Sequence, residues 1–183
     1  GMAAPAAALF AGLAETRERD ARGGGTWWRP VSRVRTRAAR IAVVWLALAV
    51  FVALDFVVPV AAGLMFNLDN TAAIALVGLF VWLGMLGPAG LAAASTRRIG
   101  MLPTIILGFF FTIELGYFAE RDWWWANPGA WPIRLVLPAM GLHFNLLPLD
   151  ATDPMAGESP VLALILTLVL AAIGFVVAAL VPP

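Results

Sequence analysis

The chain has 183 residues, no cysteine, 62% hydrophobic and 13% charged residues, a mean hydropathy of +0.89 and a formal net charge of +1. Soluble domains are about 45–50% apolar and about 25% charged. This composition therefore excludes a water-exposed globule and a disordered chain. The lack of cysteine excludes a disulfide scaffold, a thiolate metal site and a thiol nucleophile, and the near-neutral charge argues against nucleic acid as a partner.

The first 40 residues read as a separate basic unit. Ala3–Ala14 is apolar but short, and no basic residue precedes it, which argues against a secretory signal. Gly23-Gly24-Gly25 breaks the chain before Trp27-Trp28 and a run of arginines. Arg29, Arg33, Arg37 and Arg40 share one helical face by their spacing. With the paired tryptophans they suggest an interfacial helix and a contact with anionic lipid, besides their role in setting topology.

Residues 41–183 read as a membrane domain. A crossing helix needs about 20 mostly apolar residues. Ile41–Phe66 qualifies, interrupted by Asp55. Asn70–Thr96 qualifies without a charge. Met101–Ala119 qualifies, interrupted by Glu114, and Ser159–Pro183 qualifies without a charge. Trp131–Leu149 is weaker, because Pro132, Arg134, Pro138, Gly141, His143, Asn145 and Pro148 fall inside it. It reads as a re-entrant segment or a true fifth span. The expected fold is thus an all-α, polytopic transmembrane bundle of four spans plus one re-entrant or fifth membrane segment.

Arginine placement sets the expected orientation. All 12 basic residues are arginine; eight lie between Arg17 and Arg40, and Arg97 and Arg98 sit between the second and third spans. By the positive-inside rule both places face the cytoplasm of a cell (inner) membrane, with the N-terminus cytoplasmic. Trp123, Trp124 and Trp125 then mark the outer interface. Gly84, Gly87 and Gly90 in the second span, and Ala171, Gly174 and Ala178 in the last, are small-residue faces suited to helix contact.

Chemistry is expected at the intramembrane acids. Asp55 and Glu114 lie 14 and 13 residues into spans that run in the same direction. That places both roughly 20 Å from the cytoplasmic edge of a core about 30 Å thick. Pro59 cannot bond the carbonyl of Asp55, which adds a polar notch. Arg134 is the natural neutralising partner, and His143 reaches the same site if the chain bends at Pro138 or Gly141. The expected site is a polar cluster, or an ion or proton site, of Asp55, Glu114, Arg134 and His143.

These residues suit a small transporter, a channel component or an accessory subunit, as a homo-oligomer or within a larger membrane complex. The alternative is an intramembrane enzyme that uses the paired carboxylates on a lipid or isoprenoid. A purely structural cluster fits the same residues. No phosphate loop, metal-ligand spacing or nucleophile motif is present, and no cofactor is indicated.

Overall fold

The computed structural model describes residues 3–21 and 32–182, apart from the side chains of Phe111, Glu114 and Leu115. Six α-helices make up the described chain: α1 (Ala3–Asp20), α2 (Arg33–Met65), α3 (Thr71–Ile99), α4 (Met101–Phe118), α5 (Trp131–Met140) and α6 (Val161–Leu180). Among the described residues α2, α3 and α6 are long and apolar enough to cross a membrane, and α4 contributes a shorter apolar run, Met101–Phe110.

α3 is the central post, packed against every other helix. Its glycines explain how. A Cβ on Gly90 would overlap the backbone of Gly174, and one on Gly87 would fall 2.6 Å from Leu170 Cγ. α3 and α6 therefore meet backbone to backbone, which is how helices gain contact where lipid removes the hydrophobic drive. Contacts rise together along both helices, from Gly87–Leu170 to the Arg97 guanidinium on the Ala178 carbonyl, so the two run parallel. α2 runs antiparallel to α3, with Phe56 against Gly78 and Thr71 against Gly63. Two tryptophans satisfy their indole N–H groups inside this pair: Trp45 donates to the Leu86 carbonyl and Trp82 to the Trp45 carbonyl, both at 3.0 Å.

The weak fifth segment does not form a crossing helix. α5 has 10 residues, about 15 Å of helix against a core of about 30 Å. Gly141, with φ of 65°, ends it in a left-handed cap, and the Leu142 amide bonds the Leu137 carbonyl at 3.2 Å. Residues 142–148 then fold back as a hairpin loop, with the His143 amide on the Leu147 carbonyl at 2.8 Å. Because α6 runs parallel to α3, both helices end on the same side.

The first 40 residues are not set apart from the bundle. α2 begins at Arg33 and passes unbroken through residue 40, so the expected boundary falls inside a helix. Residues 22–31, including Arg29 and the paired tryptophans, lie outside the described residues. α1 inserts between α2, α3 and α4. Ala7, Ala8 and Ala11 are buried in the same core as Leu48, Met85 and Ala89. Gly12 packs on Met101, and Gly108 packs on Ala4, Pro5 and Ala8, so α1 runs antiparallel to α4. The apolar part, Ala3–Ala14, measures about 18 Å, which is half-membrane length. Alanine makes this possible: its thin side chain lets α1 fit into a space that leucine would overfill.

Replacing Gly90 by Leu should force α3 and α6 apart and destabilise the bundle by about 1–3 kcal/mol or more. Thermal melting in detergent checks this.

Candidate functional site

Two charged constellations form at opposite ends of the bundle, and neither is the expected one. The first is at the arginine end. The Glu15 carboxylate of α1 accepts from Arg40 of α2 at 2.9 Å and from Arg97 of α3 at 3.0 Å. Arg40 also reaches Glu18 at 3.0 Å. Arg97 donates onward to the Ala178 carbonyl of α6 at 2.6 Å, and Arg19 donates to the Thr96 carbonyl at 3.3 Å. Glu15 and Arg97 side chains are each 6% exposed. One buried carboxylate therefore keys α1 to α2 and α3, and Arg97 carries the tie to α6. Sequence reading missed Glu15, because its partners are 25 and 82 residues away. Arg40, expected on anionic lipid, is engaged by these acids; Arg33 is exposed and Arg37 half-buried.

The second constellation caps the far end. Arg134 of α5, 9% exposed, is paired with Glu158, donates to the Ala119 carbonyl at 3.0 Å and lies 5.5 Å from the Trp124 ring. His143, in the hairpin after α5, sits between two carboxylates: Nδ1 is 3.3 Å from Glu120 and Nε2 is 3.3 Å from Asp153. Glu120 also accepts from the Phe144 amide at 2.5 Å. Glu120, Asp122, Arg134, His143, Asp153, Pro154 and Met155 line a polar cavity of about 160 Å³. Through its two carboxylate contacts the His143 imidazole bridges Glu120, just after α4, and Asp153, in the loop before α6.

Of the four expected site residues, Arg134 and His143 share this cavity. Asp55 does not join them. It is exposed on α2 and makes no hydrogen bond or ion pair among the described residues. Arg134 is drawn instead to Glu158, because the loop before α6 folds over α5. The helix bearing Glu114 is α4, and its side chain lies outside the description. α1 stands between α2 and α4, which scarcely touch each other. The signal for Glu158 was present as the acidic stretch Asp150–Glu158, one loop after Arg134. Among the described residues no three His, Asp or Glu side chains gather at metal-binding geometry.

Comparisons with protein families, with curated proteins and with solved structures give no match.

Glu15→Gln should strand the buried Arg97 charge and cost about 3–5 kcal/mol, read as a drop in melting temperature, while Glu18→Gln at the more exposed position should cost less than about 1 kcal/mol. His143→Leu removes the two imidazole ties between the hairpin and its neighbours and leaves the Phe144 amide on Glu120. Amide exchange across residues 145–153 should then rise several-fold while α3 and α6 amides keep their protection, measured by hydrogen–deuterium exchange.

Proposed function

We propose that the chain is an integral membrane protein with four crossings, α2, α3, α4 and α6, that serves as an accessory, non-catalytic subunit of a membrane complex. The arginine end then faces the cytoplasm, in keeping with the concentration of arginine there. α1 and α5 are half-length helices that fill the bundle from opposite ends.

One observation carries this reading. The ionic network at the arginine end and the capping cluster at the far end both pair their buried charges within the chain. Asp55, inside the apolar span α2, is exposed and has no hydrogen bond or ion pair among the described residues. It sits among Leu54 and Val58, which are 66% and 72% exposed. Beyond Val52, α2 packs chiefly on α3, and a long apolar surface stands free. An ionisable side chain at membrane depth is costly and normally faces a partner or a water-filled space. A subunit buries such a surface on assembly.

The intramembrane-enzyme alternative requires Asp55 and Glu114 to address one substrate. α1 between their helices opposes that arrangement, and Arg134 and His143 serve the cap.

Extracted in a mild detergent at native abundance, the chain should migrate in a complex well above its own 19.5 kDa. Val58→Trp, on the exposed face, should release it to the free form without lowering its melting temperature. Wild-type chain running at its own mass in bilayer nanodiscs would overturn the reading.

A further inference from the structure

The buried stripe of α2 runs Ile41, Val44, Leu48 and Val52, and the same spacing continues to Asp55. Up to Phe51 this side is covered by α1, whose Phe10 ring lies 5.5 Å from that of Phe51. One turn further Ala53, Leu54 and Asp55 are exposed, while Ala4, Pro5 and Ala8 of α1 meet Gly108 of α4. Asp55 therefore stands uncovered on the side of α2 that earlier receives a helix. It lies 15 residues past Arg40, roughly 22 Å along the axis and within a core about 30 Å thick.

We propose that a transmembrane helix of a partner protein packs on this exposed face of α2 and presents an arginine or lysine to Asp55. The proposal rests on the subunit reading and adds the chemistry of the partner. Charge complementarity names that chemistry: the free group is a lone carboxylate on an apolar face, so the matching surface is an apolar helix with one cation at the same depth. A second copy of this chain is a poor source. Its arginines near the entry of the spans, Arg40 and Arg97, are held by Glu15. Those nearest to Asp55 in depth, Arg121 and Arg134, are held over the Tyr117 ring at 4.3 Å and by Glu158. An acyl chain offers no cation at all.

The experiment uses the full chain in phosphatidylcholine bilayers with synthetic leucine-alanine helices of membrane-spanning length, carrying either arginine or leucine at the depth of Asp55. Association is read by energy transfer between labelled chain and labelled helix. The arginine helix should bind about tenfold more tightly than the leucine helix, which corresponds to about 1.4 kcal/mol. Asp55→Asn should abolish the difference, and Asp55→Arg should transfer the preference to a helix carrying aspartate. Because Asp55 is exposed and makes no hydrogen bond or ion pair among the described residues, these variants should keep the wild-type melting temperature. Equal binding of the two helices, or an unchanged preference in Asp55→Asn, overturns the proposal. Self-association of the chain that vanishes in Asp55→Asn also overturns it, in favour of a second copy. Helix pairing without any native complex would instead refute the subunit reading and leave the pairing intact.

Discussion

A carboxylate between two guanidinium groups holds the arginine end together. Glu15, Arg40 and Arg97 come from three helices, and Arg97 extends the tie to the backbone of a fourth. Burying these charges is expensive, and only close mutual contact with further hydrogen bonds offsets that cost. The arrangement meets the requirement: Glu15 uses both oxygens, and Arg97 spends a second nitrogen on a helix C-terminal carbonyl, where a cation is also favoured by the helix dipole. It contributes placement more than net stability. An alanine-rich helix such as α1 has little shape of its own to choose a register, and the Glu15 key supplies one.

With that end fixed, the rest follows from thickness and shape. α3 can touch all five other helices because its glycines and alanines let α6 approach to backbone contact. α6 consequently lies parallel to α3, which leaves the chain between α4 and α6 to return on one side of the bundle. A helix of 10 residues and a hairpin loop occupy that return. Irregular backbone at this depth survives only when protein covers it, and the Arg134–Glu158 and His143 contacts are the cover. The capping cluster is thus a consequence of the topology as well as a site.

Much of the bundle was legible in the residues. The long apolar runs beginning at Ile41, Asn70 and Ser159 correspond to α2, α3 and α6 because an apolar stretch of about 20 residues or more with at most one charge has few other stable outcomes in lipid. Pro138 and Gly141 marked the fifth segment as weak but left it open between re-entrant and spanning; the helix there is 10 residues long and ends in a left-handed cap at Gly141. What stayed illegible was long-range. α1 is too short to register as a span and too apolar to register as a surface helix. Its acid finds an arginine 82 residues away. Matching depths for Asp55 and Glu114 followed from helix rise alone, but depth says nothing about azimuth, and the helix that separates α2 from α4 was the one the hydropathy pattern passed over. Arg134 was expected to neutralise Asp55 or Glu114, whereas it pairs with Glu158 on the loop that folds over α5.

The same reasoning explains why Asp55 stands apart. Arg40, Arg97 and Arg134 each pair with an acid on a neighbouring helix or loop. Asp55 is placed mid-helix and exposed, on a stripe whose earlier positions are buried. Its chain neighbours Leu54 and Val58 are exposed and apolar, so water has no ready path along α2 to solvate it. Pro59 leaves the Asp55 carbonyl without its helical donor, so backbone and side chain at this position present acceptors together. A surface that is apolar except for one concentrated acceptor selects strongly for its complement, because a partner lacking a donor there would bury an unsatisfied charge. The cost that makes Asp55 a poor residue for an isolated bundle is thereby what would make it a specific one for an assembled complex.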